Sequence, residues 1–77
     1  MLILTQDKKT VFNSNHFISI ETEYESVIAT KEDYGNRAWS TPKNLGRYKD
    51  KERAKEVLNQ LFDAMKAGYS GFEMPYE

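Results

Sequence analysis

The residues best suited to binding chemistry are cations interleaved with aromatic side chains in the middle of the chain. Residues 35–55 contain seven basic and two acidic side chains, a local charge of +5, with Trp39 and Tyr48 among them. Such cations hold phosphates while aromatic rings stack on bases, and the same residue types recur where proteins bind each other. The segment therefore predicts a surface that binds nucleic acid or another protein. It leaves open a third interpretation, in which Trp39 and Tyr48 belong to the core and the cations surround its rim.

Two overlapping sets of contact residues follow from this segment and the apolar C-terminal tail. Contacts to a protein partner, which the cations suggest is acidic, are predicted at Arg37, Trp39, Arg47, Tyr48, Phe72, Met74 and Tyr76. Contacts to nucleic acid, the alternative function, are predicted at Arg37, Lys43, Arg47 and Lys49. The net charge of −1 excludes attraction of the whole surface to nucleic acid or to an anionic membrane.

The sequence offers little catalytic chemistry. His16 is the only histidine, and the nearby Ser14, Ser19 and Glu21 have no fixed geometry that would make it a general base. The four glycines form neither GxGxxG nor a phosphate-binding loop. We therefore expect a protein without enzymatic activity, catalytic residues or cofactor.

The acidic side chains offer a weak case for a metal site. Glu21, Glu23 and Glu25 alternate, and Glu32 and Asp33 follow, so residues 21–34 have a local charge of −4. Paired carboxylates attract calcium, but the Asp/Asn spacing and central glycine of an EF-hand loop are missing. Zinc needs several nitrogen, sulfur or carboxylate ligands, and this chain has one histidine and no cysteine. We therefore expect a solvated strand and turn rather than a metal site.

An amphipathic helix over about residues 50–67 is the clearest element. Its apolar side chains recur with a 3.6-residue period. Asp50 precedes this stripe as an N-cap, and Gly68 follows as a stop. The opposite side of the helix is polar, so we expect it to bury one side against a sheet. The stripe consists of Ala54, Val57, Leu58, Leu61, Phe62 and Met65.

Short strands are predicted before this helix. Residues 2–5 and 10–13 read as a hairpin around a polar loop at 6–9, and residues 16–22 alternate as a half-buried strand does. Residues 26–30 form the next strand, with weaker candidates at 39–41 and 45–48. Short connections make neighbouring strands pair in sequence. We therefore predict a single α+β domain over residues 1–77: an antiparallel β-meander of four to five short strands within 1–48, followed by one helix packed on one face.

The C-terminal tail and the edges of the sheet are two further surfaces at which a partner could bind. Residues 69–77 are rich in apolar side chains, so they either fold back onto the sheet or stay exposed. A short meander also leaves unpaired strand edges, which motivates a homodimer hypothesis. No apolar run approaches the roughly 20 residues of a membrane span. The first apolar run is short and Asp7 follows it closely, which is not typical of a signal peptide. We expect a cytoplasmic protein.

Several short segments carry a resemblance to known proteins. Gln-Asp-Lys-Lys at 6–9, Phe-Asn at 12–13, Phe-Ile-Ser-Ile at 17–20, Leu-Gly-Arg-Tyr at 45–48, Glu-Arg-Ala at 52–54 and Met-Pro at 74–75 follow one another along the chain. This layout resembles small accessory proteins of Gram-positive bacteria and their phages and mobile elements, a group without an assigned common activity. The resemblance implies strands followed by a helix and a cytoplasmic or phage context, and it transfers no catalytic residue.

Overall fold

The computed structural model describes residues 1–31 and 42–77, so the candidates Arg37 and Trp39 and the carboxylates at 32 and 33 lie outside the described residues. The predicted α+β class, with short strands followed by a C-terminal helix, is confirmed. The elements are β1 (Leu2–Leu4), β2 (Val11–Asn13), a 3-10 helix (Ser14–His16), β3 (Phe17–Glu23), β4 (Ser26–Lys31), β5 (Lys43–Arg47), α1 (Lys51–Lys66) and β6 (Gly71–Glu73).

The strands form two sheets rather than one continuous meander. In the first sheet β3, β4 and β5 pair antiparallel in sequence order, as predicted. In the second sheet β1 lies between β2, its antiparallel hairpin partner, and β6. The 3-10 helix separates β2 from β3. The Asn13 side chain caps this helix by accepting a hydrogen bond from the Asn15 N–H at 3.0 Å. This turn leads the chain from β2 into β3, the first strand of the β3–β4–β5 sheet.

The helix α1 forms as its sequence predicts. The Asp50 carboxylate accepts a hydrogen bond from the Arg53 N–H at 2.8 Å, and Gly68 ends the helix region with a φ of +83°. Ala54, Val57, Leu61 and Ala64 are buried, and α1 packs against β3 and β4. Phe62, at the border of the apolar stripe, is instead 58% exposed.

The C-terminal tail folds back. β6 pairs parallel with β1, and the Met74 N–H donates to the Leu4 carbonyl at 3.0 Å. Parallel pairing needs a long crossover connection, which the intervening chain with α1 provides. Met74 is 1% exposed and lies in the same core cluster as Ile3 and Leu45, so the tail completes the core. No helix in the described ranges is long and apolar enough to cross a membrane.

Candidate binding face

A pocket of about 500 Å³ lies where β5 ends, α1 begins and the tail passes. β5 ends at Arg47 and α1 starts at Lys51, so the short link between them places its side chains beside the first turn of the helix. The tail after β6 supplies the remaining wall. We name this surface the cationic–aromatic face; its residues are Arg47, Tyr48, Lys49, Arg53, Glu56, Tyr76 and Glu77.

Tyr48 forms the floor of the face and is 5% exposed. Its O–H donates to the Pro75 carbonyl at 2.9 Å, and its N–H donates to the Glu25 carbonyl at 2.8 Å. Burial raises the pKa of the Tyr48 phenol to about 12, because the phenolate is the form that loses solvation. The ring packs so closely on Gly46 that a Cβ there would lie 2.7 Å from the Tyr48 Oη. Tyr48 is therefore a fixed platform rather than a mobile contact.

Arg53 fixes the end of the tail. Its Nε and Nη2 donate to the main-chain carbonyl of Glu77 at 2.9 and 2.6 Å. Its guanidinium carbon lies 5.9 Å from the centre of the Tyr48 ring, a cation–π distance. Its Nη1 lies 3.8 Å from a carboxylate oxygen of Glu56. Arg53 is thus committed to intramolecular contacts.

Arg47 and Lys49 supply the accessible positive charge. The Arg47 side chain is 73% exposed, although its Nη2 lies 3.2 Å from a Glu25 carboxylate oxygen. Exposed ion pairs of this kind contribute little and are easily exchanged. Lys49 is exposed and forms no ion pair with a described residue. Tyr76 is 77% exposed beside them, so an anionic partner would meet two cations and an aromatic ring.

The structure gathers some of the predicted contact residues and separates others. Arg47, Tyr48 and Tyr76 meet at the cationic–aromatic face, together with Lys49 from the nucleic-acid set. Met74 is buried in the core, and Phe72 is partly buried against it. Lys43 lies at the opposite end of β5 from Arg47.

His16 lies in a different surface pocket. That pocket measures about 240 Å³ and is lined by Val11, Phe12, Asn13, His16, Phe17 and Lys43. Its described lining contains no carboxylate that could orient the imidazole. Among residues 1–31 and 42–77, no group of three or more His, Asp or Glu side chains is placed to hold a metal ion.

Sequence reasoning missed Arg53 and Gln6 as organisers of the face. The Gln6 amide Nε2 donates to the Arg47 carbonyl at 2.9 Å and to the Tyr76 carbonyl at 2.7 Å, while its Oε1 accepts from the Arg47 N–H at 2.8 Å. Gln6 was predicted only as part of a hairpin loop, since contacts across 41 and 70 residues leave no local pattern. Arg53 had one signal: it is the residue whose N–H Asp50 caps, which puts it in the first turn of α1.

No family model, curated protein or solved structure matches this chain. Its function has to be inferred from its own residues and their geometry.

Proposed function

We propose that this protein is a small non-enzymatic binding domain that docks on a protein partner through its cationic–aromatic face. One observation carries the proposal: Tyr76 of the C-terminal tail is brought beside Arg47 and Lys49, and all three are exposed around a rigid Tyr48 floor. Arginine and tyrosine are enriched among the residues that dominate protein–protein affinity. The exposed cations favour an acidic segment of the partner.

The distribution of charge favours a protein over nucleic acid. Glu56 and Glu77 line the same pocket, and they disfavour a continuous run of phosphates more than a protein segment that presents one or two carboxylates to Arg47 and Lys49. Lys43 and Arg47 stand at the two ends of β5, about 13 Å apart at 3.3 Å per residue. Lys43 lines the His16 pocket, whereas Arg47 and Lys49 line the cationic–aromatic face, so the described cations of the nucleic-acid set are divided between two pockets.

The proposal also includes the kind of genome that encodes this protein and the compartment in which it works. The resemblance of the short sequence segments supports an accessory protein of a phage or mobile element that works in the cytoplasm of a Gram-positive host. Its partner would then be a protein of the host or of the element.

A matched pair of charge-reversal variants tests the proposal. The tagged protein is used for affinity capture from a Gram-positive bacterial lysate after nuclease treatment, and the captured proteins are quantified by mass spectrometry. We expect Arg47→Glu with Lys49→Glu to lower recovery of the specific partner at least about tenfold, since both changes place carboxylates against an acidic segment. Lys9→Glu with Lys55→Glu makes the same charge change away from the face, and it should leave recovery unchanged.

Two results would overturn this proposal. Equal recovery by both double variants would show that the face is not the docking site. Capture that disappears with nuclease, combined with binding of a single-stranded oligonucleotide that weakens steeply with salt, would favour nucleic acid as the ligand instead.

A further inference from the structure

The outer edge of β3 is a strand edge with no partner in the described part of the chain. β3 has seven residues, more than any other strand within residues 1–31 and 42–77, and in those ranges only β4 pairs with it. In an antiparallel pair alternate residues direct their N–H and C=O groups away from the partner. The Phe17 N–H, at the start of β3, donates to the Ser14 carbonyl, but from residue 19 onward β3 forms no backbone hydrogen bond with any described residue outside β4. This edge can therefore accept an added strand.

An apolar groove of about 290 Å³ runs along this edge, between β3 and α1. Phe62 contributes a ring that is 58% exposed, and the Lys66 Nζ lies 5.5 Å from the centre of that ring. An added strand would direct every second side chain into this groove, where apolar groups would bury Phe62. Lys66 on the helical rim disfavours a cation at these positions. The groove is lined by Ser14, Phe17, Ser19, Ile20, Leu58, Leu61, Phe62 and Met65.

The other face of β3 is acidic. Glu21 and Glu23 are exposed and form no ion pair with a described residue. Their cross-strand neighbours on β4 are Ile28 and Ser26, which carry no charge. An added strand would place its remaining side chains beside these two carboxylates, so basic residues fit there.

We infer that the β3 edge binds an extended segment of a partner protein in which apolar and basic residues alternate. The segment adds as a fourth strand: its apolar side chains enter the groove beside Phe62, and its basic side chains face Glu21 and Glu23. A second copy of this chain fits less well, because two paired β3 strands would place four carboxylates on one face. This site is separate from the cationic–aromatic face and goes beyond the proposed function.

An alternating valine–lysine peptide of eight residues, blocked at both ends, is the probe. It is titrated into the full-length protein and followed by NMR amide signals and hydrogen exchange. We expect saturable binding with slowed exchange at the outward-facing amides of β3, and affinity at least about tenfold higher than that of a valine–glutamate peptide. The same valine–lysine peptide with alternate backbone amides methylated cannot complete the ladder, and it should lose most of this affinity.

Two variants sharpen this test, and their folding is checked by thermal unfolding. Glu21→Lys with Glu23→Lys should reverse the preference, so that the valine–glutamate peptide binds more tightly. Phe62→Ser should lower the affinity for the valine–lysine peptide at least about fivefold, while the protein still prefers this peptide to the valine–glutamate peptide. Both changes are at exposed positions, so they test the site rather than the core.

Three outcomes would overturn the inference. The methylated peptide could bind as tightly as the unmodified one, which would indicate attraction of charge without strand addition. Binding could perturb residues other than those of β3 and α1. Sedimentation could show a dimer that Glu21→Lys with Glu23→Lys alters, which would make a second copy the occupant. Each result leaves the proposed function standing, because that function is tested separately by Arg47→Glu with Lys49→Glu.

Discussion

The two edges of the β3–β4–β5 sheet differ in what lies beside them. At the β5 edge the Gln6 N–H donates to the Leu45 carbonyl at 2.9 Å, and the Gln6 side-chain amide bonds both the N–H and the C=O of Arg47. At the β3 edge the Phe17 N–H donates to the Ser14 carbonyl, but from residue 19 onward no described residue supplies such bonds. A glutamine amide has the donor and acceptor of a peptide group, so Gln6 pairs with the C-terminal end of β5, at Leu45 and Arg47, as a residue of a neighbouring strand would. The β5 end can therefore bind only through side chains, whereas β3 still offers its backbone.

Truncating a large apolar side chain in each region gives the largest contrast. Met74→Ala should lower the free energy of unfolding by about 2–5 kcal/mol, because Met74 is 1% exposed and fills the core beside β1. Phe62→Ala, beside β3, should change it by less than about 1 kcal/mol, since the ring is 58% exposed. Urea unfolding measures both. Similar losses from the two variants would show that Phe62 is core and not a free docking surface.

Removing the side chain of Gln6 should have the next largest effect. Gln6→Ala takes away hydrogen bonds to Arg47 and Tyr76, and we expect it to cost about 2 kcal/mol in unfolding free energy. Gln60→Ala on the exposed side of α1 is the matched control and should cost less than about 0.5 kcal/mol. Gln6→Ala should also speed hydrogen exchange of the Arg47 amide. An unchanged Arg47 exchange rate would contradict the account of the β5 edge.

The Tyr48 phenol should have an effect of intermediate size on the free energy of unfolding, and this effect depends on pH. Its pKa is raised to about 12 in the folded protein from 10.0, so the folded state favours the neutral phenol. That contribution is complete below pH 10 and is lost as the pH rises toward 12. Tyr48→Phe should cost about 1 kcal/mol near neutral pH, through the lost bond to Pro75.

Comparing Tyr48→Phe with the unchanged protein isolates this group from the lysines that also titrate at high pH. Unfolding midpoints in urea are measured at neutral pH and at pH 11. The stability difference between the two proteins should shrink at the higher pH. A constant difference would mean that the phenol ionises in the folded state as easily as in the unfolded state.

The smallest predicted effect lies at the turn between β3 and β4. Tyr24 has a φ of 54°, in the left-handed region that favours glycine, and its side chain is 75% exposed. Tyr24→Gly should raise the unfolding free energy by about 0.5 kcal/mol, because relief of backbone strain exceeds the entropic cost of glycine. Tyr69→Gly, an exposed tyrosine without a positive φ, should bring no such gain. Thermal unfolding distinguishes the two.

What the sequence could predict follows from the range of the interactions involved. The helix and the strands of both hairpins depend on periodicity and caps within a few residues, and the Asp50 cap and the Gly68 stop are where the sequence places them. The pairing of β6 with β1 and the Gln6 contacts join residues 41 to 70 positions apart, and no local pattern records them. The exposure of Phe62 likewise depends on where β3 lies beneath α1.

The candidate site was predicted in part for the same reason. Arg47, Tyr48 and Tyr76 could be selected by residue type, but their meeting depends on the tail folding back past β5. Met74 could not be distinguished from a surface contact by type, since an apolar tail residue serves equally in a core or an interface.

Native-state hydrogen exchange of the isolated protein, residue by residue, tests the difference between the two edges most directly. The Arg47 amide, bonded to the Gln6 side chain, should exchange at least about tenfold more slowly than the outward-facing amides of β3. The inward-facing amides of β3, paired with β4, serve as the protected reference. Outward β3 amides as protected as this reference, or an Arg47 amide that exchanges as fast as an open loop, would contradict the account.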